Sequence, residues 1–373
     1  MNKVLRWLPA MVAPVMIAAA VTIPAMANAD PTLPSKTPAQ LIALIGGSQH
    51  AAYSGTVQES SDLGLPDLGS LQSATGISLG GSSLSSWASF LTASHTARVF
   101  VDGPEKQRLQ LLGSWAETDL IHNGTSLWEY DSQAGSAAHL QLSSDASSAA
   151  HPDALPGGTA LTPAQAAAKL IAAITPSTTL TVSTSDRVAG RAVYSLTLTP
   201  KTSATLVDHT TLAVDAFTGL PLSAAVYARG QSAPAFTTAF TSISYGAPAA
   251  SVFDFTPPAG TTVSQLTPME LLSGLGGSAP PKGLGAFAPK PKITGSDWAT
   301  IVELPAGTGS ALLGASTGTR SAAPDVSSLA GSLLTPVAGG EGLQTALVSV
   351  LVTADGRLFA GAVPLAALEA AAK

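Results

Sequence analysis

The sequence predicts an α+β protein: a curled antiparallel sheet, an unclosed half-barrel covered by short helices, followed by a small C-terminal α+β extension. Three observations predict it. Residues 94–142 read as a meander of short strands joined by tight turns at Asp102-Gly103-Pro104, Gly113-Ser114 and Asn123-Gly124. Asn-Gly between apolar runs is a hairpin signal, because both residues tolerate the positive φ of a type I′ turn. Strands this close in sequence pair antiparallel, with one wet face and one dry one. Next, roughly ten such strands share only two amphipathic helices, more sheet than two helices cover, and curling into a partial barrel around a cavity is one solution. Finally, 45% of residues are hydrophobic, 11% are charged, and 35 Gly and 27 Pro punctuate the chain.

With 373 residues there is material for two domains, or one large domain with attachments. A net charge of −6 with scattered cations offers no basic stripe for nucleic acid. The absence of cysteine excludes disulfides, thiolate-held metal, cysteine nucleophiles and lipid anchoring through an N-terminal cysteine. Residues 1–29 read as a signal peptide: Lys3 and Arg6 precede an apolar run over 8–23, and Ala25-Met26-Ala27 or Ala27-Asn28-Ala29 offers a small-x-small cleavage site. The alternative is an uncleaved membrane anchor, since the stretch 8–27 approaches a spanning length. Pro9, Pro14 and Pro24 favour cleavage. Either way the remainder is expected outside the cytoplasm, in the cell envelope or secreted.

In chain order, Thr37-Pro38-Ala39-Gln40 is a capping box with proline at the first helical position, and the helix it starts stops at Gly46-Gly47. The same four letters recur at Thr162-Pro163-Ala164-Gln165, ahead of a second short amphipathic helix. Both serve as cover for a sheet, or as lids over a cavity. Residues 53–59 alternate as a strand. Residues 63–91 are too apolar for a solvated linker and too broken by Gly, Ser and Pro for a helix, and read as a flap docking on the dry face. Strands follow at 180–188, 191–199, 210–215, 220–229 and 236–245. In the second of these, Tyr194, Leu196 and Leu198 share one face and Val193, Ser195 and Thr197 the other. The half-barrel domain is expected over 30–260, a Pro/Gly-rich linker over 261–296, and the extension over 297–373. Within the extension, 298–304 reads as a strand, 343–353 and 358–363 as a hairpin, and Pro364 as the start of a terminal helix.

These residues resemble the LolA-like lipoprotein-carrier family, the fold of LolA, LolB and the N-terminal part of RseB-type sigma-factor regulators. The resemblance rests on the order of Tyr53-Ser54-Gly55-Thr56, Val101-Asp102-Gly103-Pro104, Asn123-Gly124 with Leu127-Trp128-Glu129-Tyr130-Asp131, Arg187-Val188-Ala189-Gly190-Arg191, Asp215 through Pro221, and Phe253 through Gly260. It spans about 37–260 and is similar to actinobacterial members that carry a C-terminal extension. It implies a half-barrel holding acyl chains beneath helical lids without catalysis. Two departures stand out. Gly103-Pro104 replaces the Arg-Pro common in lipoprotein carriers, and 63–91 has no counterpart in the short ones.

No catalytic motif competes. Gly-x-Ser-x-Gly, His-Glu-x-x-His and the phosphate-binding loop are absent, and residues 274–279 imitate a dinucleotide fingerprint without a βαβ unit. The six histidines (His50, His95, His122, His139, His151, His209) are never paired at helical metal spacing, and Glu117 and Asp119 share a strand face as exposed carboxylates commonly do. No cofactor or metal is expected. The expected partner is an acyl-chain lipid or lipoprotein, with an envelope or membrane protein reached through the C-terminal region as a further one. The alternative function is an RseB-like envelope-stress sensor. Cavity residues are sought among bulky apolar side chains of strands and flap: Trp87, Phe90, Trp115, Trp128, Leu140, Tyr194, Leu196 and Phe240. For each alone, ordinary core is the simplest role, and the set carries the hypothesis.

Overall fold

The structure is a computed structural model describing residues 33–65, 94–113, 117–142, 163–266, 291–306 and 333–373. The expected signal segment 1–29, residues 66–91 of the expected flap and 267–290 of the expected linker lie outside the described residues.

Helix α1 (Pro38–Gly47) begins as its letters dictate. The Thr37 hydroxyl accepts from the Gln40 backbone N–H, and the Gln40 side chain accepts in return from the Thr37 N–H at 2.9 Å. It is followed by β1 (Ala52–Ser61), β2 (His95–Asp102), β3 (Lys106–Leu112), β4 (Glu117–Asn123), β5 (Ser126–Asp131) and β6 (Ser136–Gln141), then α2 (Pro163–Ile174). The chain continues through β7 (Thr178–Val188), β8 (Arg191–Pro200), β9 (Val207–Asp215), β10 (Pro221–Ala228), β11 (Pro234–Tyr245) and β12 (Thr262–Leu266). These strands form one twelve-stranded sheet in the order β12-β6-β5-β4-β3-β2-β1-β11-β10-β9-β8-β7, with β12 and β7 at its open edges. Every pair is antiparallel except β12 on β6. The sheet is unclosed and the class is α+β.

Turn chemistry sets the register, with one difference from expectation. Asn123 pairs with Ser126, so the two-residue loop is Gly124-Thr125, and only Gly124 has positive φ, at 62°. That is the type II′ pattern rather than type I′ on Asn-Gly. The type I′ pattern occurs instead at Ala189-Gly190, with φ of 49° and 76°, between paired Val188 and Arg191.

Helix α1 docks over one end of the sheet. Leu41 packs with Tyr194, Leu196 and Val214 in a fully buried cluster, joined by Leu180, Val182, Leu198 and Leu212. The Tyr194 hydroxyl donates to the Pro34 carbonyl at 2.8 Å. At the β9–β10 turn a Cβ on Gly219 would collide with the Leu44 carbonyl, so the turn and the end of α1 meet without room for a side chain. Beside them the Asp215 carboxylate is fully buried and collects the Arg191 Nε–H at 2.8 Å, the Tyr245 hydroxyl at 3.0 Å and the backbone N–H groups of Phe217 and Thr218. Burial works against its ionisation, but these donors overcome it and hold the carboxyl below the ordinary aspartate range.

A second sheet of six strands, β13 (Lys292–Thr294), β14 (Ile301–Leu304), β15 (Thr335–Val337), β16 (Gly340–Gln344), β17 (Ser349–Thr353) and β18 (Leu358–Gly361), carries α3 (Leu365–Ala371) on a core of Ile301, Leu351, Phe359, Val363 and Leu368. The stretch 343–353 expected as one strand is two, β16 and β17, folded back at a turn where Thr345 N–H bonds the Val348 carbonyl. Strands β12 and β13 fall inside the composition-defined linker 261–296. The small sheet is tied to the large one by Thr205 Oγ1–H to the Ala362 carbonyl, Leu206 N–H to the same carbonyl, Trp298 Nε1–H to Thr178 Oγ1, and Ala346 N–H to the Leu63 carbonyl.

A candidate apolar ligand face

Directly opposed antiparallel residues share a face, and alternate residues of a strand share it too. The register across β1–β6 is uninterrupted, so it sorts the side chains of six strands into two faces. One face carries the rows Tyr53–Val101–Gln107–His122–Leu127–Leu140, Gly55–Val99–Leu109–Leu120–Glu129–Ala138 and Val57–Ala97–Leu111–Thr118–Asp131, with Glu59 opposite His95 at one end. Phe240 of β11 pairs with Val57 and joins this face. Its ring meets Tyr53 edge-on, with centroids 5.9 Å apart, and a Cβ on Gly55 would lie 2.8 Å from it. The Gly55 position is therefore filled from across the strand pair. Val57, Val99, Val101, Leu109, Leu111 and Leu127 are half-buried, and Leu120 is 36% exposed.

The opposite face is sealed. It carries Phe100, Arg108, Ile121, Trp128 and His139 in one row and Arg98, Gln110, Asp119, Tyr130 and Ala137 in the next. The chain between β11 and β12 crosses it as a strap. Phe255 packs on Trp128 and Tyr130 with ring centroids 5.3 and 5.4 Å away, and Trp128 stacks on His139 at 4.1 Å. Arg108 donates to the Val252 carbonyl and to buried Asp119, while Asn123 donates to the Phe253 carbonyl. Burial raises the Asp119 carboxyl despite the Arg108 guanidinium beside it.

The cations of these strands are confined to one face, while their acids stand on both. The only cations of these six strands, Arg98, Lys106 and Arg108, stand on the strap side by register. The apolar face carries acids: Glu59, Glu129 and Asp131. Glu59 is 9% exposed. Desolvation pushes its carboxyl up to about 7.

Of the eight residues picked from the sequence, Trp87, Phe90 and Trp115 lie outside the described residues. Tyr194 and Leu196 are packed beneath α1, 1% and 3% exposed. Leu140 and Phe240 are on the apolar face by register, with Leu140 buried at 2% exposure. Trp128 is on the strap face, because it precedes Glu129 and follows Leu127 in a regular strand, and it cannot line one hollow with Leu140. Sequence reasoning missed the aliphatic members Val57, Val99, Leu109, Leu111, Leu120 and Leu127, and Glu59 among them. Their signal was parity counted outward from the Gly124 turn, not side-chain size. Among the described residues no cluster of His, Asp or Glu could hold a metal, and no helix is long and apolar enough to cross a membrane.

No family model matches the sequence, and no curated protein matches it. Among solved structures, the chain is similar to one in the MucA/MucB complex of Pseudomonas aeruginosa, with a TM-score of 0.42 and 15% identity over 90% of this chain and 96% of that one. It is similar to a crystal structure of MucB, with a TM-score of 0.40 and 15% identity over 89% and 94%. A LolA superfamily protein from Nitrosomonas europaea aligns with a TM-score of 0.23 and 10% identity over 59% of this chain and 99% of that one.

Proposed function

We propose that this protein is an exported, non-catalytic carrier that holds the acyl chain of a lipid or lipoprotein against the apolar face of β1–β6. The observation that supports it is the asymmetry of these strands: one face closed by the strap, the other lined by half-buried aliphatic side chains with Leu120 36% exposed. The ligand needs no special chemistry. Each buried methylene contributes about 0.8 kcal/mol, so shape and dryness suffice to hold an acyl chain. Native mass spectrometry of the full protein taken from its own envelope is expected to find acyl species bound, and their loss in a Leu120→Asp, Leu127→Asp variant that still folds. Protein free of any acyl species, reloaded with none, contradicts the proposal.

A second reading, an envelope-stress sensor that engages a membrane protein, is favoured by the open edge strand β13, where Ile293 is 65% exposed. An extended partner segment could add to that edge. The reading expects a membrane-protein partner whose capture from the envelope is lost on Ile293→Asp. Undiminished capture removes it. The domain limits 30–260 and 297–373, joined by a linker, are proposed with either reading.

A further inference from the structure

At one end of the large sheet, where β7 turns into β8 and β9 into β10, the fold holds an aromatic ring out in solvent among cations. We propose that this end docks on a lipid bilayer with anionic headgroups, the Phe217 ring entering the interface while Lys36, Arg187 and Arg191 supply the charge that attracts it.

Two independent features carry this. The first is Phe217, 75% exposed, more than any other large hydrophobic side chain of the described residues. A single exposed ring on a loose loop needs no explanation, but this turn is fixed from below. The buried Asp215 carboxylate accepts the backbone N–H groups of Phe217 and Thr218, both at 2.9 Å. Gly219, at φ 75°, lies against the Leu44 carbonyl of α1, and the Arg191 guanidinium stands 5.9 Å from the Phe217 ring centre. The ring is therefore presented rigidly, with little ordering entropy left to lose when a surface covers it.

The second feature is charge. The chain carries −6 overall. The charged side chains of α1 with its lead-in from Leu33, and of the two turns at 186–191 and 215–221, are Lys36, Arg187, Arg191, Asp186 and Asp215. Asp215 is buried and accepts from Arg191 Nε–H, which leaves Asp186 as the one exposed acid of these segments. Helix α2, packed on α1, adds exposed Lys169 and Leu170 and no acid. Aromatic rings settle at headgroup depth, and each cation near an anionic surface tightens attachment about fivefold. The apolar rows begin at this same end, because Tyr53 pairs with Tyr245, whose hydroxyl donates to Asp215. The inference does not require the carrier reading, which is judged separately by acyl occupancy.

The absence of cysteine allows a site-specific test on the full protein. Phe217→Cys and Ile293→Cys, each carrying an apolar, environment-sensitive fluorophore, are mixed with vesicles of phosphatidylcholine alone or with about one-third phosphatidylglycerol, in about 0.1 M salt. Ile293 is the control, 65% exposed on the small sheet. The label at 217 is expected to shift to the blue on the anionic vesicles, with an affinity at least about tenfold above that for phosphatidylcholine, and to lose the shift in about 1 M salt. Arg187→Gln is expected to weaken this about fivefold with an unchanged melting curve. The label at 293 is expected to stay unshifted. No shift at 217, an equal shift on both vesicle compositions, or equal shifts at 217 and 293 each overturns the inference.

Discussion

The two ends of the large sheet are made of the same kind of strand and finished differently. At the β7–β9 end, α1 lies across Tyr194, Leu196 and Val214 and buries them completely. Across β2–β5, Leu109, Leu111, Leu120 and Leu127 form an equally aliphatic surface that keeps part of its area open, while stiffness comes from behind, where Phe255 of the strap packs on Trp128 and Tyr130 and the Val252 carbonyl holds Arg108. The difference teaches where stability and binding are kept. The covered end holds the fold, and the strap lets the other end present an apolar surface without depending on that surface for its shape.

Substitutions should therefore separate the two ends. The largest stability loss is expected at the covered one: Leu196→Ala leaves a cavity under α1 and costs about 3 kcal/mol, read as a lower denaturation midpoint with ligand affinity unchanged. Arg191→Met strands the buried Asp215 carboxylate and is expected to cost about 3 kcal/mol by the same measurement; the Arg191 side chain is partly exposed, which sets the effect at the low end for a buried pair. At the open end, Leu120→Ala is expected to change stability by less than about 1 kcal/mol while weakening acyl binding. Equal stability losses at Leu196 and Leu120 would erase the contrast.

The smallest effect is a pH dependence. Desolvation raises the Glu59 carboxyl from an ordinary 4.5 to about 7 in the folded protein. Between those values the folded state keeps a proton that the unfolded state has released, so the contribution of Glu59 to stability declines as pH rises through that window and is level above it. Glu59→Gln is expected to melt higher than the wild type at about pH 8 and to match it at about pH 4. A variant less stable than the wild type at the higher pH would contradict the assignment of a carboxyl raised by desolvation.

Much of the fold was legible in the sequence because it is written in local chemistry. The Thr37–Gln40 capping box, the glycines at 103, 124, 190 and 219, and the alternation of Tyr194, Leu196 and Leu198 each specify a structure within a few residues. The strand 343–353 was misjudged because an unbroken apolar run conceals a turn whose only marker is Thr345, bonded to Val348. The ligand face was less legible. Large aromatic rings drew attention, yet Trp128 serves the strap and Tyr194 the core under α1. What distinguishes the open face is the register of six strands and the cover behind them, and the partners Trp128 and Phe255 are 127 residues apart in sequence, counting 255 − 128.

The central claim is that an acyl chain lies on the β1–β6 face. It is tested most directly by loading the full protein with a palmitoyl lipid carrying a photoreactive group midway along the chain and mapping the crosslinked peptides. Crosslinks are expected within 97–127, at residues of the Val99, Leu109, Leu120 and Leu127 rows. Crosslinks confined to Trp128 and the strap, to α1, or to the C-terminal sheet would contradict the account.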